Sequence, residues 1–484
     1  MQDSGVATQH LEPDRRTLLR DVPAFFFVGA EGAHVSRRSR GRPTTVSARA
    51  CALLLAGIGV ALALAVVARS AASPVPSFGG PSDYRTGEGP EGVTLGDLNG
   101  DGRQDLATAN FDDDTLSVLV NRGDGSFERR RDYWSGPSPW SVAIGDLDDD
   151  GKQDLAIAIG AGNSVAVRLN KGNFRFPRRD YETGENPFSI ALGDISGDGK
   201  PDIATANLNA NSVSVLVNSG DGSFQASRDY ATGRRPESLA AGDLNGDGKQ
   251  DLATANQEAS TVSVLLSRGD GALEPRRDYE TGRAPRAVAI GDLNGDGMQD
   301  LAIANNGTNT VSVFLGKGDG SFRTRRDHRT RQAPISVAIG DLNGDRRPDL
   351  ATVEYIQGVV SVLLNSGDGR FQTARDYRTG GLPGSLAIGD LNGDRMLDIV
   401  TLSGSDTASI LLNATGRCAV PKVRGKSLPN AKRALVRANC RVGTIRLAYS
   451  KVIPTGHAIS TVPRFGSVLP KGGKVNLVVS RGRN

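Results

Sequence analysis

The chain has 484 residues, of which 38% are hydrophobic and 5% aromatic, with 61 glycines; this excludes a polytopic membrane protein and a core of bulky aromatics, and suits short strands joined by tight turns. Three cysteines and four histidines exclude a disulfide framework, a Cys-rich zinc module and His-based metal catalysis. The net charge of +4 conceals three zones: +4 over residues 1–72, −14 over 73–417, and +14 over 418–484, where 14 Lys and Arg meet no Asp or Glu.

Residues 1–49 read as a basic cytoplasmic segment carrying Arg37, Arg38, Arg40, Arg42 and Arg49. Residues 50–68 follow as 19 uncharged, mostly apolar residues, near the ~20 that a helix needs to cross a bilayer. Positive charge upstream keeps the N-terminus inside and sends the remainder out. The expected location is the bacterial cell surface, on a single-pass anchor. If the small residues of Ala65–Ser73 are cut as a signal-peptide site, the protein is secreted instead.

A repeated unit fills 73–416. GDLNGDG or a close variant recurs with its leading Asp at 97, 146, 194, 243, 292, 341 and 390, in steps of 49 except for one of 48, where Asn170–Phe176 reads NKGNFRF. Each unit holds a short apolar run, the Asp-rich loop, a second run, an alternating third run such as Thr261–Leu266, a turn such as Gly220-Asp221-Gly222, and a fourth run ending in Asp-Tyr. Four strands in about 49 residues is the spacing of a propeller blade, which must stack on its neighbours to bury both faces. The last copy stops after its third strand, and the missing fourth appears at the start as Phe78–Tyr84. The sequence therefore predicts an all-β, seven-bladed β-propeller closed by its N-terminal strand.

In the first copy Asp97, Asn99, Asp101 and Asp105 take loop positions 1, 3, 5 and 9, with Gly102 at the bend and the Arg103 carbonyl free to turn inward. Alternating oxygen donors around a glycine bend suit calcium; magnesium prefers fewer protein ligands, and transition metals want His or Cys. Without a cation, carboxylates ~4–6 Å apart repel by roughly a few kcal/mol per pair. The second copy, Asp146, Asp148, Asp150 and Asp154 with the Lys152 carbonyl, holds the most carboxylates. Asp243, Asn245, Asp247 and Asp251 with Lys249, and Asp292, Asn294, Asp296 and Asp300 with Met298, keep every element. Asp194, Ser196, Asp198 and Asp202 with Lys200 substitute a hydroxyl and should bind more weakly. Asp341, Asn343, Asp345 and Asp349, like Asp390, Asn392, Asp394 and Asp398, lose the bend glycine to Arg346 and Arg395. These last two are expected to be the weakest of up to seven structural calcium sites.

On the repeated D-x-[DN]-x-D-G-x-x-D loop, residues 76–416 resemble the FG-GAP-like or VCBS repeats of integrin-type propellers. The resemblance implies the same closed ring and a part in adhesion or protein–protein interaction.

Residues 418–482 change character. Asn430–Asn439 reads as a short amphipathic helix with Ala431, Ala434, Leu435 and Ala438 on one face, followed by three strands. Cys418 and Cys440 flank the helix and can pair in an oxidising exterior; two free buried thiols are the alternative. Val420-Pro421, Gly425, Gly443, Pro454, Gly456, Pro463, Gly466 and Gly472-Gly473 make this segment similar to a PASTA domain, a small α+β module. That implies recognition of peptidoglycan or β-lactams outside a bacterial membrane, although Thr461-Val462 stand where the family often has Gln. The +14 charge separately favours an anionic envelope polymer. Nucleic acid is not expected as a partner, given export and only two aromatics here, Tyr449 and Phe465.

No nucleophile–base set or phosphate loop stands out, and the carboxylates are committed to the repeats, so no enzyme activity is expected. The reading is a monomeric, noncatalytic surface protein whose propeller loops meet an unknown protein or glycan. A lectin-like propeller, or a secreted hydrolase, is the alternative.

Overall fold

The computed structural model describes residues 74–469 and 473–483. The basic 1–49 stretch and the apolar 50–68 segment lie outside the described residues. Among the described residues no helix is long and apolar enough to cross a membrane.

Each repeat folds as a four-stranded antiparallel sheet. The first runs Pro90–Gly96, Asp105–Asn110, Thr115–Leu119 and Arg131–Trp134, and five more follow in the same chain order. In the seventh sheet, Pro383–Gly389, Asp398–Ser403 and Thr407–Leu411 take Ser82–Arg85 as their outer strand, with Asp83 opposite Ser409. Phe78 bridges Asn413 just outside that strand. The expected closure is therefore present. First strands pack side by side around the ring, and Pro383–Gly389 returns to Pro90–Gly96. This is a propeller-like circle of repeated four-stranded sheets.

Crowding near the axis explains the small residues there. A Cβ on Gly92 would come within 2.8 Å of the Ser141 Cα on the next sheet. All six residues of Asp105–Asn110 are buried, because the second strand is covered on both faces. The outer strands split more than the sequence suggests. Phe127 forms only an isolated bridge with Asn121, and regular pairing resumes at Arg131. The recurring Tyr packs between sheets: Tyr133 meets Phe176 edge-on at 5.4 Å between ring centroids, and Tyr181 meets Phe224 at 5.3 Å.

A polar thread crosses each of several sheets. In the first, the Asn110 side-chain amide donates to Ser117 Oγ at 2.8 Å, and that hydroxyl donates to Asp132 at 2.7 Å. The same chain recurs at Asn207–Ser214–Asp229 and Asn256–Ser263–Asp278. It satisfies groups that would otherwise be buried unpaired.

Among the described residues the C-terminal domain has one helix, Leu428–Arg437, starting two residues before the expected Asn430. Pro429 occupies its first turn, where a missing N–H costs nothing. Arg441–Ala448 runs parallel to Lys474–Ser480, which pairs antiparallel with Ala458–Val462. Cys418–Ala419 pairs with Val468–Leu469. Cys418 and Cys440 are joined in a disulfide across 22 residues.

Candidate metal centres

The Asp loops join the first and second strands of every sheet, on one face of the ring. Position 1 makes the bend. Asp97 Oδ2 accepts the Gly102 N–H at 2.7 Å, and the equivalent bond recurs in all seven loops at 2.7 to 2.9 Å. Position 5 accepts the N–H of position 7, as from Arg103 to Asp101 at 3.0 Å and Lys152 to Asp150 at 3.0 Å.

The bend requires a left-handed backbone, and Gly102 sits at φ 79°. Arg346 and Arg395 hold the same bend at φ 67° each, and both still donate to position 1 at 2.7 Å. Losing the glycine strains these two residues yet leaves the loop path intact.

Position 9 is structural as well as acidic. Asp105 is fully buried and accepts the Leu98 N–H at 3.1 Å on one oxygen and the Asn121 N–H at 2.8 Å on the other. Every repeat keeps this pair, although in the third loop Ser196 rather than Ile195 donates, at 2.7 Å to Asp202. Burial pushes these carboxyls up, to about 6 for Asp105, Asp154, Asp251 and Asp300, about 7 for Asp349 and about 8 for Asp398. The two donated N–H groups pull the other way, and acidic neighbours in the loop add to the rise.

The sequence reading missed the residue that binds the loops together. Asn121 Nδ2 donates to the Leu391 carbonyl of the neighbouring sheet's loop at 2.9 Å. Asn170, Asn218, Asn365 and Asn413 repeat this staple to Leu98, Leu147, Leu293 and Leu342 at 2.7 to 3.0 Å, and Ser267 does so with its hydroxyl to Ile195 at 2.6 Å. Its signal was an Asn recurring just past the third strand.

The donor set fits a hard divalent cation best in the second loop. One oxygen each from Asp146, Asp148 and Asp154 lies within 4.8 Å of the others. Asp148 Oδ1, Asp345 Oδ2 and Asn392 Oδ1 are buried oxygens without a hydrogen-bond partner, and all three stand at loop positions 3 or 5. Basic side chains approach the position 5 carboxylate in the second loop and in others: Lys152 Nζ is 2.7 Å from Asp150, Lys249 Nζ is 2.9 Å from Asp247, and Lys200 Nζ is 3.3 Å from Asp198. These pairs are exposed and contribute little. Lys171 Nζ lies 2.5 Å from Asp148. In the seventh loop an Arg417 guanidinium nitrogen lies 3.2 Å from Asp394.

The short turn of the second repeat has a visible consequence. With one residue fewer, Asn173 and Phe174 both adopt left-handed backbone. A recess of about 490 Å³ lies beside it, lined by Asp97, Asn99, Lys152, Asn170 and Phe174 among others.

An FG-GAP-like repeat model matches at 97–157, 146–205, 196–254, 243–303, 292–352 and 343–401, and a PASTA domain model matches 419–481. A probable serine/threonine-protein kinase of Clostridium perfringens is 30% identical over 81 residues, 17% of this chain and 12% of the kinase. The chain thus spans about an eighth of that relative's length. Virginiamycin B lyase from Staphylococcus aureus has a similar fold, with a TM-score of 0.50 at 15% identity, covering 69% of this chain and 99% of the lyase. An Agrocybe aegerita lectin that recognises non-reducing terminal N-acetylglucosamine aligns at a TM-score of 0.44 and 19% identity, covering 63% of this chain and 91% of the lectin. With its Asp loops in register on successive sheets and the matches running unbroken from 97 to 401, the chain belongs to the FG-GAP-like repeat proteins and carries a PASTA domain at its C-terminal end.

Proposed function

We propose that this is an exported, envelope-associated, noncatalytic binding protein. A seven-bladed propeller, clipped by structural calcium, serves adhesion or protein–protein interaction, and the PASTA domain holds wall peptidoglycan or an anionic envelope polymer. The observation that carries the reading is the charge of residues 418–484, with 14 basic and no acidic side chains on a domain family linked to the wall. Exposed Leu447 and Tyr449, at 55% and 56%, stand beside Arg446 and Arg481 and give that positive surface apolar contact area. The Cys418–Cys440 bond suits an oxidising exterior.

Calcium is supported by the repeated bend, by the Asp146–Asp148–Asp154 grouping and by the unpartnered loop oxygens. A cation would hold the buried position 9 carboxylates ionised. In each loop, positions 1, 3, 5 and 9 and the position 7 carbonyl would be its ligands.

Co-sedimentation of the full chain with purified cell wall tests the envelope claim. Wall stripped of its anionic polymer, and an unrelated basic protein of equal charge, serve as comparisons. Binding that exceeds the charge-matched control supports recognition, and equal binding by both removes it.

One observation favours a glycan as the propeller's ligand. On the ring face opposite the Asp loops, a recess of about 360 Å³ is lined by Phe111, Trp140, Asn163, Glu185, Asn186 and Asn209 among others. Trp140 is buried between Phe111 and Phe188 and forms the floor, while the amides of Asn163, Asn186 and Asn209 at the rim suit the hydroxyls of a neutral sugar. Binding on a glycan array that Asn209→Ala, at the exposed rim, abolishes would support this reading, and an array with no signal would leave a protein as the partner.

A further inference from the structure

The outer strand of the seventh sheet has no hairpin to hold it. In the first sheet a turn joins the third and fourth strands, and Arg122 N–H donates to the Ser126 carbonyl and Glu128 N–H to the Val120 carbonyl, both at 2.8 Å. In the seventh sheet the same two bonds cross between distant parts of the chain. Ala414 N–H donates to the Ser77 carbonyl at 2.5 Å and Gly79 N–H to the Leu412 carbonyl at 2.8 Å. A strand of four residues with no covalent turn is the kind of element that opens first.

The sequence of that strand's entry is unlike its counterparts. Elsewhere arginines precede the Asp, as in Arg129–Arg131, Arg276-Arg277 and Arg325-Arg326, whereas here the chain reads Gly79-Gly80-Pro81-Ser82. Those glycines make room for the C-terminal domain. A Cβ on Gly80 would clash with the tip of the Phe465 ring, one on Gly79 would lie 3.3 Å from the Gly466 carbonyl, and one on Gly466 would lie 3.2 Å from Ser82 Oγ. Arg464, next in line, faces the Tyr84 hydroxyl and the Asp124 carboxylate.

The loop that makes these contacts is tied to the root of its domain. Gly466 N–H donates to the Val420 carbonyl at 3.1 Å, and Val420 N–H donates to the Ser467 carbonyl at 2.9 Å. The root is tied in turn to the seventh sheet, where Arg417 donates to the Asp394 carbonyl at 3.1 Å and lies 3.2 Å from its carboxylate. A noncovalent path therefore runs from the third strand, through residues 413–420 and 464–467, onto the outer strand.

We propose that the PASTA domain is the clasp of the ring, supplying through Arg464, Phe465 and Gly466 the hold on the closing strand that a hairpin supplies in the other sheets. The proposal stands apart from any ligand of the domain. It means that whatever pulls on the domain acts directly on ring closure.

Hydrogen exchange of the full chain, read by mass spectrometry, tests this. Residues 77–85 are compared with the hairpin-joined counterpart 126–134, and the Leu428–Arg437 helix reports on the domain's own fold. In the native protein the two outer segments should be similarly protected. Phe465→Ala should speed exchange across 77–85 by about tenfold or more, while 126–134 keeps its native rate. Gly80→Val places a branched side chain where the Phe465 ring sits and should do the same without touching the domain's core. Should Phe465→Ala also lose helix protection, the clasp still requires 77–85 to open, and Gly80→Val then reads the contact with the domain intact. Unchanged exchange across 77–85 in both variants overturns the proposal.

Discussion

Asn121 holds Asp105 with its backbone and the next sheet with its side chain. Its N–H donates to Asp105 Oδ1 at 2.8 Å, and its amide reaches the Leu391 carbonyl at 2.9 Å. One residue thus fixes the position 9 carboxylate of its own loop and links that loop to its neighbour. Asn121→Ala leaves the N–H in place and removes the link, together with the amide's bond to the Gln104 carbonyl at 3.0 Å and the Gly123 N–H bond to its oxygen at 2.8 Å; the Leu391 carbonyl keeps the Gly125 N–H at 3.1 Å. The expected loss is about 1–3 kcal/mol, and Asn218→Ala should cost a similar amount. Urea unfolding midpoints check both; a loss within experimental error would show that the staple carries no net stability.

Glu91 gives the ring a pH dependence of its own. It is partly buried on a first strand, where burial and the Asp112 carboxylate push its carboxyl up to about 8 against the opposing charge of Arg286. The folded protein therefore holds this proton more tightly than the unfolded chain does. The contribution is favourable below the unfolded value and is lost as pH rises from there toward 8. Glu91→Gln keeps the neutral form at every pH. Its melting temperature relative to the native protein should rise between about pH 5 and pH 8. A difference that stays flat over that range would show that Glu91 is ionised throughout.

Reducing the Cys418–Cys440 bond should loosen the C-terminal domain. For a bridge spanning 22 residues, the expected loss is about 3 kcal/mol. Hydrogen exchange in the Leu428–Arg437 helix, with and without reductant, measures it, and strands such as Asp202–Asn207 should be unaffected. Unchanged helix protection would mean the packing of Ala431 and Leu435 suffices alone.

The second loop, where three carboxylates cluster, is the place to test a cation site by a single substitution. Asp148→Ala removes one of the three clustered carboxylates and should lower the calcium stoichiometry of the full chain by one in a titration. An unchanged stoichiometry would exclude this loop as a site.

Much of this was legible in the sequence because repetition makes each signal seven signals. The Asp loops, the divided last repeat and the Phe78–Tyr84 closure follow from spacing alone. The partner of the recurring Tyr did not follow: only the ring shows that it meets a Phe of the next sheet, and Leu273 and His328 break the two series. The helix boundary was displaced because Pro429 reads as a breaker but tolerates a first turn. The Asn121 staple was hidden because an Asn after a strand reads as turn chemistry, and only the ring shows what its amide meets. Arg417, at the end of the acidic repeat zone, and Arg464, in the basic tail, were equally silent, because their partners Asp394 and Tyr84 lie on the propeller.

Thermal unfolding of the full chain, after chelation and with calcium restored, addresses the Asp loops most directly. Calcium at ten times its dissociation constant should stabilise by about 1.4 kcal/mol per occupied site, so melting should rise well above that of the chelated protein. Magnesium at the same concentration should restore little of it. A melting temperature indifferent to chelator and to millimolar calcium would contradict the account, leaving seven hydrogen-bonded acidic turns in place of seven cation sites.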